Sequence, residues 1–317
     1  MAPRCRDDSA SVTSDNASAS QVRQPALIGL VGLGLVGTAL GRRMRQAGLA
    51  VLGFDQHSQA RDHWACGGGR LAESVLELGR RCERVVLAVY DSAGVLQVVE
   101  GEVGLLRHFT APSITDTIID CSTGNPEALG ALAGRLAARG INFIEAPLSG
   151  SSEQIAAGRA TMLLGGEPRS IEKSTDLLDA IAPQRIHVGG AGMGARAKLA
   201  TNLVLGLNRA ALAEGFVFAQ ALGIPATTFL RLVLGTPARS DAALSKGERM
   251  VTGDFTPQSR IQQHLKDLGL MLAAAQAQGQ RLPLTETHAQ LLRAAVAAGD
   301  GDLDNAAILR QLRRERH

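Results

Sequence analysis

The chain has 317 residues, long enough for two packed cores, and its 45% hydrophobic and 20% charged content excludes wholesale disorder. Lys and Arg number 33 against 30 Asp and Glu, and a net charge of +3 is too small to point to nucleic acid or a membrane surface as partner. Aromatic residues make up only 3%, which leaves no platform for stacking bases.

Residues 1–25 are rich in Ser, Asp, Asn and Ala and contain no apolar run, so a disordered tail is expected there rather than a secretory signal. The apolar run Leu27–Val31 predicts a strand buried on both faces. It opens directly onto Gly32-Leu33-Gly34-Leu35-Val36-Gly37. An amphipathic stretch over residues 38–47 follows, with Leu40 and Met44 at helical spacing and Gly48 as its stop. Ala50–Phe54 reads as a second strand that ends at Asp55, completing a βαβ unit.

Further strands are expected at residues 84–89, 117–120, 142–146, 161–166 and 185–188, with helical patterns between them, including 126–139. This alternation predicts an α/β fold with a doubly wound, parallel Rossmann sheet. After Gly194 the periodicity is helical almost throughout, at 195–222, 225–234, 261–278, 284–298 and 305–313. The expected organisation is a dinucleotide-binding domain over residues 26–190, followed by an all-helical domain for substrate binding and oligomerisation over residues 191–317.

The glycine spacing has a mechanical reason. Gly32 permits a tight turn, Gly34 lets the backbone approach a pyrophosphate, and Gly37 lets the helix pack on the strand while its N-terminal amides face the phosphates. Asp55 follows the second strand, where a carboxylate accepts bonds from both ribose hydroxyls of NAD and repels a 2′-phosphate. Arg61, a few residues on, keeps NADP open as the cofactor. No metal site is expected, because the seven histidines lack ligand spacing and Cys5, Cys66, Cys82 and Cys121 form no C-x-x-C pair. Scattered cysteines also read as a reduced, cytoplasmic protein, and no apolar run reaches the length of a membrane span.

Lys198 and Asn202 are four residues apart and share a helix face near the domain junction. A lysine desolvated there has a lowered pKa suited to proton transfer, whereas an exposed helix lysine is the plainer reading. Two loops, Asp120-Cys121-Ser122-Thr123 and the one from Glu145 through Ser149-Gly150-Ser151-Ser152, follow strands and so face the ligand crevice of a doubly wound sheet. Their hydroxyls and amides suit a small carboxylate, or alternatively cap turns.

Taken together these residues resemble the β-hydroxyacid dehydrogenase family (3-hydroxyisobutyrate dehydrogenase-like), over residues 27 to about 311. Five blocks match in order: residues 29–37, 120–123, 146–150, 192–202 and 264–270, the last reading His-Leu-Lys-Asp-Leu-Gly-Leu. The resemblance implies Lys198 as the catalytic acid/base with Asn202 orienting substrate, and Ser149, Gly150 and Ser122 contacting the substrate carboxylate. It also implies Asp267 in the cleft, Ser151 on the substrate loop, and Thr123 and Lys266 on the cofactor side. The usual Leu-Pro after the fourth strand is Val89-Tyr90 here, the second glycine after the Ala-Pro-Leu-Ser-Gly run is Ser151, and the usual Gly-Thr-Leu is Gly158-Arg159-Ala160, all bordering the substrate and nicotinamide loops. The expectation is an enzyme that moves hydride between NAD, or NADP, and a small β-hydroxyacid or its semialdehyde, assembled as a homodimer or homotetramer. The alternatives are an imine or carbonyl reductase of the same superfamily and a non-catalytic NAD-binding regulatory protein.

Overall fold

The computed structural model describes residues 27–108 and 114–315, so the expected tail over residues 1–25 and Cys5 lie outside the described residues. Among the described residues nine strands form one sheet: β1 (Leu27–Val31), β2 (Ala50–Phe54), β3 (Arg70–Leu71), β4 (Arg84–Leu87), β5 (Thr117–Asp120), β6 (Asn142–Glu145), β7 (Leu148–Ser149), β8 (Thr161–Gly165) and β9 (Gln184–Gly189). The first six run in the order β3-β2-β1-β4-β5-β6, all parallel. Their near-continuous Val, Ile and Leu content fits strands covered on both faces, and Ile28, Leu30, Val85, Val86, Ile118 and Ile119 are fully buried.

Strand order reverses between β1 and β4, which creates the crevice where ligands bind in such sheets. The loops after β1, β4, β5 and β6 therefore open at one carboxyl edge.

The far edge departs from the expected parallel sheet. β8 runs antiparallel to both β6 and β7, and β9 returns parallel to β8. The cause is local. β6 continues through Ala146 and Pro147 into β7 as one bent strand, broken where proline lacks an amide to donate, and the Pro147 carbonyl accepts from Leu163 N–H at 2.9 Å. The only helix between β7 and β8 is the short Ser152–Ala156, so the chain turns back instead of crossing over.

The helical domain is built on Met193–Ala221, a 29-residue helix whose first residues pack on the sheet. Helices Ala226–Leu234, Asp241–Thr252, Ile261–Ala277, Pro283–Ala297 and Ile308–Arg314 surround its remainder. Their shared core runs from Leu199 through Phe216, Met250, Ile261 and Leu292 to Leu309. Helix Asp241–Thr252 lies outside the expected set; Ser240 caps it by accepting from Ala243 N–H, and Gly253 ends it at a φ of 75°. The first helix, Leu35–Gln46, begins three residues before the expected start and takes Gly37 into its opening turn. Among the described residues no helix is long and apolar enough to cross a membrane, and no group of three or more metal-ligating side chains gathers.

Candidate active site

The glycine turn after β1 fits a dinucleotide. Gly32 has a φ of +93°, and a Cβ there would stand 2.3 Å from the Ala88 carbonyl oxygen of the neighbouring loop. A Cβ on Gly37 would stand 1.8 Å from the Gly32 carbonyl oxygen, so glycine alone lets the helix close on the strand. At Gly34 a Cβ would meet nothing within 4 Å, which leaves open space beside the backbone where a pyrophosphate would lie. Gly34 caps the helix without a side chain, and Leu35 and Val36, in its first turn, are 37% and 36% exposed. Leu33 is buried, and its N–H donates to Asp55 Oδ2 at 2.7 Å, which fixes the carboxylate at the end of β2. Asp55 Oδ1 accepts from His57 N–H at 2.8 Å. Arg61 is turned to the carbonyls of Asp55 and Gln56, at 2.7 and 3.1 Å.

The second part of the site lies where the helical domain meets the carboxyl edge of the sheet. Lys198 is 8% exposed, and its ammonium donates to the Leu148 carbonyl oxygen at 2.5 Å. Burial lowers its pKa to about 8; the Lys266 cation acts in the same direction, while Asp267 opposes both. One turn along the helix, the Asn202 amide donates to Asp267 Oδ2 at 3.2 Å, and Asp267 Oδ1 pairs with Lys266 at 3.0 Å.

Lys266 also reaches across to the sheet domain. Its ammonium donates to the carbonyl oxygens of Tyr90 and Thr123, at 2.7 and 2.8 Å, and lies 5.1 Å from the centre of the Tyr90 ring. One cation thus ties the loops after β4 and β5 to the helical domain.

Residues 27–190 match the model of the NAD binding domain of 6-phosphogluconate dehydrogenase, and residues 192–312 that of the NAD-binding region of NADP-dependent 3-hydroxyisobutyrate dehydrogenase. L-threonate dehydrogenase of Escherichia coli K12 is 30% identical over 291 residues, 89% of this chain and 93% of that one. The 3-sulfolactaldehyde reductase of the same organism is 28% identical over 289 residues, 91% of this chain and 96% of that one. The crystal structure of a 3-hydroxyisobutyrate dehydrogenase from Salmonella typhimurium superposes with a TM-score of 0.79 at 29% identity, covering 90% of this chain and 99% of the other.

The chain belongs to the β-hydroxyacid dehydrogenase family. It is an NAD(P)-dependent oxidoreductase of the hydroxyacid dehydrogenase class, with a parallel-dominated Rossmann domain followed by a helical one.

In this β-hydroxyacid dehydrogenase, Asn202, Asp267, Lys266, Tyr90 and Thr123 come together through the bonds above, and Lys198 lies one turn from Asn202 on the same helix. Ser149 lies at the end of β7, next to the carbonyl that receives Lys198, and Gly150 follows at a φ of 153°. Ser122 sits deeper than a crevice residue: it is 5% exposed, its hydroxyl accepts from Val89 N–H at 3.0 Å, and its own N–H donates to Asp120 Oδ1 at 2.9 Å. It stitches the β4 and β5 loops together from beneath. Ser151 forms a capping box with Gln154: its hydroxyl accepts from Gln154 N–H at 3.2 Å and its N–H donates to Gln154 Oε1 at 2.8 Å. The hydroxyl that replaces the expected glycine thus starts the short helix Ser152–Ala156.

Two buried carboxylates, Asp120 and Glu145, which open the two crevice loops, and the Leu148 carbonyl take structural roles that their loop positions alone do not reveal. These acids end β5 and β6 and are register partners. Glu145 is 1% exposed, and its carboxylate accepts from Gly192 N–H at 2.5 Å and Ala195 N–H at 3.2 Å, at the start of the helix that carries Lys198. Helix Met193–Ala221 begins at a glycine, which brings no capping side chain of its own, but the sequence does not say which distant acid takes its place.

Proposed function

We propose that this enzyme interconverts a small β-hydroxyacid and its semialdehyde with Lys198 as general acid/base. The observation that carries this reading is the Lys198 ammonium, buried on the Leu148 carbonyl with its pKa near 8. Nicotinamide, when bound, supplies or accepts the hydride. Lys198 Nζ takes the hydroxyl proton during oxidation and returns it to the carbonyl oxygen during reduction. A lysine with a pKa close to the working pH serves both directions, because both protonation states are populated.

Asn202 orients the substrate oxygen beside Lys198, and its bond to Asp267 holds its amide in one orientation. Ser149 and Gly150 receive the substrate carboxylate through a hydroxyl and backbone amides, with Ser122 supporting the facing loop from beneath and Thr123 on that loop contacting the cofactor. The glycine turn from Gly32 to Gly37 holds the pyrophosphate, and Asp55, fixed by the Leu33 amide, holds the adenosine ribose and favours NAD over NADP. Val89, Tyr90 and Lys266 border the nicotinamide end. Val204, Phe218 and Leu222 stand 56%, 64% and 62% exposed along and just past the long helix, which supports self-association of the helical domain into a dimer or tetramer.

The test is nicotinamide absorbance with NAD and with NADP against a panel of small hydroxyacids: 3-hydroxyisobutyrate, glycerate, L-threonate and 3-sulfolactate. Turnover on one member, favouring NAD and reduced about 100-fold or more by Lys198→Ala, is the expected result. Silence across the panel while NAD still binds, or near-normal turnover by the variant, overturns the reading.

A further inference from the structure

The long helix begins on Gly192, at a φ of +85° and without a side chain to satisfy the first free amides. That work is done from another element. Glu145, 47 residues earlier in the chain, places its carboxylate on the amides of Gly192 and Ala195. The approach is close and depends on two glycines. A Cβ on Gly165 would stand 2.5 Å from Gly194 N and 2.7 Å from Glu145 Oε2, and a Cβ on Gly194 would stand 2.8 Å from Glu145 Cβ. The helix end is therefore seated directly on the sheet.

The same strand makes a second grip. Three residues beyond Glu145, the Leu148 carbonyl accepts from Lys198 Nζ at 2.5 Å. Segment 145–148 thus holds the helix at its first amides and again at the ammonium. A shift of the first turn moves Lys198 off its acceptor.

We propose that Glu145 is a positioning residue for Lys198: its ionised carboxylate anchors the first turn of the lysine's helix and so sets where the ammonium stands over the substrate loop. The proposal rests on the acid/base reading of Lys198 given above.

The electrostatics agree with this role. A helix N-terminus favours one negative charge, and Glu145 supplies it. Asp120 on β5 is the acid beside it; its Oδ1 accepts the Ser122 amide and its Oδ2 is buried without a partner. Burial raises Glu145 to about 7, against the amides of Gly192 and Ala195, with Asp120 adding to the rise; burial likewise raises Asp120 to about 6, against its bonds with Ser122 and the more distant Lys266 cation. β8 and the long helix face Glu145 with Gly165 and the amides of Gly192, Gly194 and Ala195. Acid therefore releases the anchor by protonating Glu145.

Two variants test this, Glu145→Gln, which keeps the shape and loses the charge, and Glu145→Asp, which keeps the charge on a shorter stem. In the cofactor-free chain, hydrogen exchange over residues 192–199 is expected to quicken about 10-fold in Glu145→Gln relative to residues 35–46, and less in Glu145→Asp. In the reduction direction, kcat is expected to fall about 10- to 100-fold in Glu145→Gln, with KM and cofactor Kd within about twofold of wild type. The wild-type kcat is expected to fall in acid below about pH 7, and Glu145→Gln to lose that limb. Unchanged exchange over residues 192–199 overturns the proposal whatever the activity. Changed exchange with normal kcat, or an acid limb that survives in Glu145→Gln, overturns it too. An inactive wild type counts against the acid/base reading alone, and the exchange measurement then decides the anchor.

Discussion

Asp267 stands between two cations: its Oδ1 is 3.0 Å from Lys266 Nζ, its Oδ2 accepts from Asn202, and its charge works against the burial that lowers Lys198. Removing the charge takes away the group that opposes burial, so Asp267→Asn is expected to move the Lys198 pKa below its wild-type value near 8. The alkaline fall of the reduction rate then begins at lower pH than in the wild type. A pH profile of kcat for both proteins checks this, and a shift to higher pH contradicts it.

The acid/base role proposed for Lys198 gives the two directions opposite pH signs. Oxidation needs the neutral amine, so its rate is expected to climb as pH rises through about 8, while reduction needs the ammonium and declines over the same interval. Lys198→Met retains bulk and loses the proton carrier. It is expected to cost about 100-fold or more in kcat and to flatten both profiles, with the cofactor Kd near normal.

The three glycines of the turn have separable effects. Gly37→Ala drives a methyl into the Gly32 carbonyl, at 1.8 Å, and is expected to lower the melting temperature of the cofactor-free chain. Gly34→Ala meets no protein atom within 4 Å and is expected to melt with the wild type while losing most of its affinity for the dinucleotide. Thermal unfolding with and without NAD separates the two, and a Gly34→Ala variant that binds NAD normally contradicts the placement of the pyrophosphate.

The helical domain carries its own buried ion pair. Lys246 Nζ lies 2.9 Å from Asp304, whose carboxylate also accepts from the amides of Gln258, Ser259 and Ala306. Burial works against the Asp304 carboxylate, but Lys246 and these amides together hold it below the ordinary value. Asp304→Asn leaves the lysine buried without a counter-charge and is expected to cost about 3–5 kcal/mol at neutral pH. A carboxylate with a lowered folded pKa stabilises above its unfolded value near 4 and loses that contribution in acid. The gap between wild type and variant in denaturant unfolding is therefore expected to narrow below about pH 4.

Much of the chemistry was legible because it is encoded locally. The glycine turn sits between an apolar run and an amphipathic stretch, and Lys198 and Asn202 share a face by spacing alone. Glu145 was not legible, because its partners lie 47 residues away and nothing in Glu-Ala-Pro announces a helix cap. Helix Asp241–Thr252 escaped for another reason. Its buried positions are Ala242, Ala243, Lys246, Gly247 and Met250, a stripe of mostly small residues and one lysine with a single large apolar side chain, which does not stand out as a core-facing run. Ser151 carries a Ser-x-x-Gln capping-box pattern, but a serine on the substrate loop fits a ligand contact equally well, so the sequence alone does not separate the two roles.

Helix Met193–Ala221 is also a lever. Its 29 residues extend roughly 43 Å at about 1.5 Å each. With its origin fixed between Glu145 and Gly165, a one-degree swing displaces Lys198, about 8 Å along, by only about 0.1 Å, and the far end by about 0.7 Å. The displacement from such a swing is thus smallest near Lys198 and greatest near the exposed Phe218.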